Sequence, residues 1–117
     1  MVSDAEQLHR SNNLTKQTAL TETGAAINGR ADTPNMHDVL TGSHPNGSFI
    51  AGEPSTTCAN WTMGDKGSAM VGQHDRTGLD ESAPAKSWNS SHQSRGCSAD
   101  QLKSTGGAGL YCCFAAD

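Results

Sequence analysis

The stretch Cys58-Ala-Asn-Trp-Thr-Met63 is the part of the sequence from which the expected fold is built. Its residues alternate between a polar set and an apolar set: Cys58, Asn60 and Thr62 against Ala59, Trp61 and Met63. Successive side chains of a β-strand point to opposite faces of the sheet, so this alternation predicts a short strand. Such a strand would carry a cysteine on one face and a tryptophan on the other.

Segments on both sides of this stretch also have the composition of strands or loops. Three further strands are expected: Asp38–Thr41, Ser48–Ala51 and Leu110–Phe114. Residues 67–72 are one more short apolar piece, and residues 73–87 are expected to be a long polar loop without strands. Ser98 has the position of an N-cap for one or two helical turns. Short twisted antiparallel strands, long polar loops and little helix predict an α+β domain.

The composition limits both the core and the classes of partner. The chain has 117 residues, of which 33% are hydrophobic and 4% aromatic. A chain of this length forms one domain at most, and so few apolar side chains predict a thin core. The formal net charge is -4 and there is no run of Lys or Arg, which argues against nucleic acid as a partner. No apolar run is long enough for a membrane span.

Four cysteines stand in the second half of the chain: Cys58, Cys97, Cys112 and Cys113. They form no C-x-x-C pair, which argues against a zinc ribbon or a thioredoxin-type redox motif. Well-separated cysteines in a loop-rich chain with a thin core are typical of an oxidising compartment, so we expect a secreted or periplasmic protein. Adjacent residues of a strand face opposite sides, so Cys112 and Cys113 are not expected to face the same partner.

Several stretches resemble one family in sequence and in order. Four stretches stand in the order seen in the C-terminal half of endostatin-like domains: V-L-T-G-S-H-P-N-G at 39–47, C-A-N-W-T at 58–62, S-W-N-S-S-H at 87–92 and G-L-Y-C-C-F at 109–114. The chain resembles still more closely the small secreted bacterial lectin-like proteins, through N-N-L-T-K-Q-T-A-L at 12–20 and G-S-A-M-V-G-Q-H-D-R at 67–76. This resemblance covers nearly the whole chain and implies a C-type-lectin-like fold, a twisted antiparallel sheet flanked by helices and a long loop region.

The resemblance also implies a domain organisation. Residues 1–117 would be a single C-type-lectin-like domain that lacks the longer N-terminal half of the family. Within it, residues 1–33 would be a polar N-terminal segment and residues 34–117 a disulfide-stapled core.

The family pattern further implies how the cysteines pair. Carried over to this chain, it joins Cys58 to Cys97 and leaves Cys113 without its partner, while Cys112 departs from the pattern. An unpaired cysteine in a secreted protein predicts an intermolecular bridge or a reactive thiol. We therefore expect a homo-oligomer or completion of the fold by another chain. The alternative is that residues 1–33 fold back and fill the gap.

Two groups of residues are candidates for a ligand site. The first has the residue types for metal binding or proton transfer: His74, Asp75, Arg76 and His92. The alternative is that His74 and Asp75 cap or staple the long loop and that His92 forms a hydrogen bond to the nearby backbone. The second group suits a sugar, whose hydroxyls meet amides and hydroxyls while an indole stacks on the ring: Trp88, Asn89, Ser90 and Ser91. The alternative there is that Trp88 belongs to the core.

Calcium is left open as a ligand, and no other cofactor is expected. The family's calcium-dependent members place E-P-N-type and W-N-D sequences around the ion, but Ser55 and Ser90 stand at the decisive positions here. Calcium prefers clusters of oxygen atoms, and the long loop offers three carboxylates: Asp75, Asp80 and Glu81.

The leading hypothesis is a secreted lectin-like module that binds a carbohydrate or a cell-surface ligand, and not an enzyme. It depends on analogy at the level of the fold. A structural or assembly subunit completed by another chain is the second hypothesis, and a metal-dependent hydrolase using His74, Asp75 and His92 is the third. We also expect Trp61 and Trp88 to be largely buried beside the last strand, because few other apolar side chains can fill the core.

Overall fold

The computed structural model describes residues 3–114. A four-stranded sheet holds the strands in the order β3-β2-β1-β4, where β1 is Asp38–Leu40, β2 is Met70–Gln73, β3 is His92–Gln93 and β4 is Gly107–Tyr111. The helical elements are α1 (Ala5–Arg10), α2 (Cys58–Trp61), a short 3-10 helix (Pro84–Lys86) and α3 (Ala99–Lys103). The expected α+β class with little helix is confirmed. No helix within residues 3–114 is long and apolar enough to cross a membrane.

The sheet is not antiparallel throughout, contrary to expectation. β1 pairs antiparallel with β2, and β2 pairs antiparallel with β3, but β4 lies parallel to β1. The chain reaches β4 from β3 at the opposite edge, through the connection that contains α3, and parallel neighbours require such a crossover. The β1–β4 register is interrupted by a bulge, where Gly109 has a φ of 72°. Bulges of this kind protect an edge strand from pairing with other chains.

The stretch 58–63 is not a strand. Cys58–Trp61 forms a helical turn, α2, and its four residues have φ values between 49° and 63°. These are left-handed values, and the turn is closed by hydrogen bonds from Trp61 N to the Thr57 carbonyl and from Met63 N to the Cys58 carbonyl. The alternation of residue types failed because the Thr57 side chain accepts from Asn60 N and so ends the extended backbone at residue 57.

Some of the other expected elements are formed as expected, and others are shorter or displaced. β1 lies inside the expected strand at 38–41, and α3 begins after Ser98, whose side chain accepts from Gln101 N in a capping box. The expected strand at 48–51 is reduced to one bridge between Ser43 and Phe49. The last strand, β4, begins and ends earlier in the sequence than the expected range of Leu110–Phe114. The long loop that follows Gln73 contains no strand up to residue 87, as expected.

The core is small, as expected, and is held by a disulfide. Its buried apolar members are Val39, Cys58, Ala69, Val71, Trp88, Cys97 and Leu102. The Cys58–Cys97 disulfide is confirmed, while Cys112 and Cys113 take part in no disulfide. Trp88 is buried as expected, but the expectation for Trp61 is wrong. Its side chain is 41% exposed, because the left-handed turn directs it toward Tyr111 on the outside of β4.

The polar N-terminal segment lies against the core. The His9 ring stacks on Trp88 with a centroid distance of 5.4 Å. Farther along, Arg30 N donates to Asp75, and the Asn28 carbonyl lies 3.1 Å from His74 Nε2. Residues from the first third of the chain therefore cover part of the core within the same molecule, which is the alternative left open for residues 1–33.

Candidate functional site

Asp75 lies just beyond the end of β2, where three groups surround its carboxylate. Its oxygens lie 3.1 Å from His37 Nδ1 and accept hydrogen bonds from Arg30 N at 2.7 Å and Thr77 N at 3.1 Å. Burial alone would raise the pKa of Asp75. The hydrogen bonds outweigh burial, with the one from His37 the strongest, and bring the pKa down to about 2. Asp75 is therefore a buried carboxylate that stays ionised.

The same imidazole connects Asp75 to a second carboxylate. His37 Nε2 lies 3.3 Å from Asp38 Oδ1, and His92 Nε2 lies 3.4 Å from the same oxygen. Asp75, His37, Asp38 and His92 thus form a continuous row of alternating carboxylates and imidazoles, which we call the Asp–His chain. The side chains of His37 and Asp38 are 2% exposed, whereas that of His92 is 38% exposed. The Asp–His chain therefore extends from the interior to the surface of the protein.

Asp38 is the least conventional member of the Asp–His chain. Neither of its carboxylate oxygens has a well-aligned hydrogen bond within residues 3–114, although both are buried. Nε2 of His37 and Nε2 of His92 both approach its Oδ1. The interaction with Asp38 raises the pKa of His92, and burial of the ring opposes this rise without cancelling it.

His37 and Asp38 were not among the ionisable candidates predicted from the sequence, which were His74, Asp75, Arg76, Asp80, Glu81 and His92. A usable signal was present, because the dipeptide His-Asp occurs twice, at 37–38 and 74–75. The two copies lie at the paired ends of neighbouring antiparallel strands, where His74 N donates to the His37 carbonyl at 2.9 Å.

The expected grouping of His74, Asp75, Arg76 and His92 is only partly formed. Asp75 and His92 belong to the Asp–His chain but do not touch each other. His74 lies apart, with Nε2 against the Asn28 carbonyl, and Arg76 Nε donates to the Lys86 carbonyl. His74 and Arg76 therefore contact the backbone of neighbouring loops.

The three carboxylates considered for calcium do not meet. Asp75 is engaged with His37, Asp80 accepts a hydrogen bond from Ser82 N, and Glu81 pairs with Lys86. Among residues 3–114, no group of three or more His, Cys, Asp or Glu side chains is arranged to hold a metal ion.

The expected sugar-binding group around Trp88 lies inside the protein. Trp88 is 8% exposed, stacks with the His9 ring and meets the Phe114 ring in a T-shaped contact. The buried Asn89 side chain donates to the Ser43 hydroxyl and the His44 carbonyl. Ser91 N donates to the Val71 carbonyl at 2.7 Å. The indole of Trp88 and the amide of Asn89 thus pack within the fold, in the arrangement described by the alternative that places Trp88 in the core.

The accessible aromatic surface lies elsewhere, at α2 and the end of β4. Trp61 is 41% exposed and Tyr111 is 60% exposed, and their rings meet edge to face with a centroid distance of 5.9 Å. Gly42 also lies close to the indole, where a Cβ would come 3.5 Å from Trp61 Cζ2. We call this surface the Trp61–Tyr111 pair.

An open cleft of about 750 Å³ lies between α1 and the turn at 45–48. Two pairs of its polar side chains are already engaged, since Arg10 contacts Glu6 at 3.0 Å and the Asn46 side chain accepts from Ser48. The cleft is therefore a weaker candidate than the exposed aromatic rings.

The Asp–His chain and the Trp61–Tyr111 pair offer different chemistry. The first is a buried set of ionisable groups that are committed to one another. The second is an exposed apolar surface with polar edges, open to a ligand. No protein-family model, no curated protein and no solved structure matches this sequence or fold.

Proposed function

We propose that this protein is a lectin-like binding module for a carbohydrate or a cell-surface ligand, and that the Trp61–Tyr111 pair is its contact surface. The observation that carries the proposal is the placement of the aromatic residues. The chain has five, and only Trp88 is buried. Because Trp61 is 41% exposed, it forgoes about 1 kcal/mol of the free energy of full burial, in a protein whose core is already thin. A ligand that covers the ring recovers this free energy.

A carbohydrate fits the surroundings of the pair. An indole face stacks on the apolar face of a sugar ring, and amide and hydroxyl groups meet the sugar hydroxyls. Asn60 and Thr62 flank Trp61, and both are exposed. The resemblance to secreted lectin-like proteins and the disulfide agree with an extracytoplasmic protein of this kind.

The hydrolase hypothesis has less support. A general acid or base needs a ring nitrogen within reach of the substrate. Both nitrogens of His37 face carboxylates, and those of His92 lie at 3.4 Å from Asp38 and 3.1 Å from the Gln93 carbonyl. No imidazole nitrogen of the Asp–His chain is left for a substrate.

Binding to a glycan array, with and without EDTA, tests the proposal. We expect at least tenfold weaker binding by Trp61→Ala and by Tyr111→Ala. Phe49→Ala is the matched control, because Phe49 is 64% exposed but lies on a different loop. Binding that survives EDTA shows that no calcium ion bridges the sugar. A protein that binds no glycan, or that loses binding equally through Phe49→Ala, contradicts the proposal.

A structural or assembly subunit is the second candidate, and one observation favours it. Cys113 is an exposed thiol next to Phe114, whose side chain is 51% exposed. Burial, and to a lesser extent Cys113, raise the pKa of Cys112 to about 11, which disfavours the thiolate at that residue. Light scattering with and without reductant tests this candidate. An assembly that Cys113→Ser returns to a 12.2 kDa monomer supports it, whereas a monomer in both conditions contradicts it.

A further inference from the structure

The backbone of α2 is strained over four consecutive residues, none of them glycine. Cys58, Ala59, Asn60 and Trp61 have φ values of 49°, 51°, 56° and 63°. In this conformation each Cβ lies too close to the following carbonyl oxygen, so L-residues adopt it singly at most. A run of four persists only where the surrounding structure enforces it.

Two anchors hold the ends of this turn. At its start, Cys58 is bonded to Cys97, and both sulfurs pack with Ala69 in the core. At its end, Trp61 rests against Tyr111 and Gly42. The two central residues have no such anchor, because Ala59 and Asn60 are exposed. Their amides donate to the Ser55 and Thr57 hydroxyls, and water can replace both acceptors if the turn opens.

We infer that the Cys58–Cys97 disulfide holds α2 in its left-handed form, so that reduction of this bond releases the turn and separates Trp61 from Tyr111. The disulfide is the only covalent anchor of the turn within residues 3–114. Without it, the strain is opposed by the solvent-accessible hydrogen bonds of the turn and by the partly exposed contact between the two rings. The functional consequence rests on the proposed function: a ligand held by the Trp61–Tyr111 pair would be bound in the oxidised protein and released from the reduced one.

The chemical step is a thiol–disulfide exchange with a dithiol reductant. One thiolate of the reductant attacks a sulfur of the disulfide, forms a mixed disulfide and frees one cysteine as a thiolate. The second thiol of the reductant then displaces the other cysteine and closes an intramolecular disulfide. Two electrons and two protons pass from the reductant to Cys58 and Cys97, and no other oxidant or reductant is required.

Amide hydrogen exchange measures the release without any ligand. The reporters are the amides of Trp61 and Met63, which donate within the turn to the carbonyls of Thr57 and Cys58. The reference amides are those of Thr41 and Met70, which donate to the Met70 and Thr56 carbonyls of the sheet region. Exchange is compared between the oxidised protein, the protein treated with dithiothreitol and the Cys58→Ala/Cys97→Ala variant.

We expect the reporter amides to exchange at least tenfold faster once the disulfide is absent, while the reference amides change less than threefold. Equal acceleration of both sets means that the whole domain opens, and it overturns the inference. Unchanged reporter amides overturn it as well, because the turn then keeps its form without the bond.

A second variant tests whether strain is the link. Glycine populates the left-handed region without a steric penalty, so Ala59→Gly/Asn60→Gly should keep the turn closed after reduction, with reporter exchange within threefold of the oxidised protein. Ala99→Gly, in the right-handed helix α3, is the matched control and should leave the tenfold response intact. If the double glycine variant opens as far as the unmodified protein, the inference is wrong. These readouts need no sugar, so their failure leaves the proposed function standing. A normal exchange response with an empty glycan array contradicts the proposed function alone.

Discussion

This protein buries a row of ionisable side chains and exposes a pair of aromatic side chains, which is the reverse of the usual distribution. The Asp–His chain places two carboxylates and an imidazole in the interior with side chains at most 5% exposed. The Trp61–Tyr111 pair stands in solvent, although tryptophan is the largest apolar side chain available to the core. Globular proteins ordinarily bury apolar residues and expose ionisable ones.

Each half of this comparison has a physical condition. Ionisable groups can be buried when each faces a partner of opposite charge or a hydrogen-bonding group, as His37 does between Asp38 and Asp75. An exposed aromatic pair costs stability unless a ligand or partner covers it. We therefore expect the Asp–His chain to control stability and the Trp61–Tyr111 pair to control binding.

Removing the centre of the Asp–His chain should have the largest effect on stability. His37→Ala leaves the carboxylates of Asp38 and Asp75 buried without the group between them. Breaking a buried pair in this way costs roughly 3–5 kcal/mol, a large share of the free energy of unfolding of a small domain. Urea unfolding at pH 6 measures the loss. His44→Ala is the matched control, since His44 is exposed, and it should cost less than about 0.5 kcal/mol. A loss below about 1 kcal/mol for His37→Ala would show that the chain is not a stabilising unit.

The parts of the fold that the sequence predicted correctly depend on local signals. β1 follows from a short apolar run, and α3 follows from the Ser98 cap, whose partner Gln101 lies three residues away. The Cys58–Cys97 bridge was available only through resemblance, since four cysteines leave the pairing open.

The parts that were missed depend on distant contacts. The alternation at 58–63 carries no information about the sign of φ, which is set here by a bond to Cys97 and by the Thr57 cap. The Asp–His chain joins residues 37, 38, 75 and 92, which only strand pairing brings together. The composition predicts burial equally for Trp88 and Trp61, yet only Trp88 is buried.

The two tryptophans give the next largest contrast. Trp88→Ala removes a buried ring packed between His9 and Phe114, and it should cost about 3 kcal/mol of stability. Trp61→Ala removes a half-exposed ring and should cost about 1 kcal/mol or less, while it should weaken ligand binding at least tenfold. Thermal unfolding of both variants, beside the glycan array, separates the two roles. Equal destabilisation by both changes would mean that Trp61 is a core residue after all.

Acid should weaken the protein through Asp75. Its pKa falls from 3.8 to about 2 on folding, so its contribution to stability is fully present above pH 5 and is lost as the pH falls through 2. The loss amounts to about 2 kcal/mol. In urea titrations, Asp75→Asn should be less stable than the unmodified protein at pH 5, and the two should converge near pH 2. Glu22→Gln, at an exposed position, should run parallel to the unmodified protein throughout. Curves for Asp75→Asn that never converge would contradict this account.

Raising the pH should have the smallest effect on stability, and it should act through His92 at the exposed end of the Asp–His chain. Because Asp38 raises the pKa of His92 above its ordinary value of 6.5, the folded protein holds this proton more tightly than the unfolded chain does. The contribution of His92 to stability is therefore fully present below pH 6.5 and is lost as the pH rises through the higher pKa of the folded state. The ring is 38% exposed, and solvent screening limits the effect to less than about 1 kcal/mol. Thermal midpoints between pH 5.5 and roughly 8.5 should fall for the unmodified protein but stay level for His92→Gln. Asp38→Asn should give the same level response, because it removes the carboxylate that raises the pKa of His92. A fall of unchanged size in either variant would place the titrating group elsewhere.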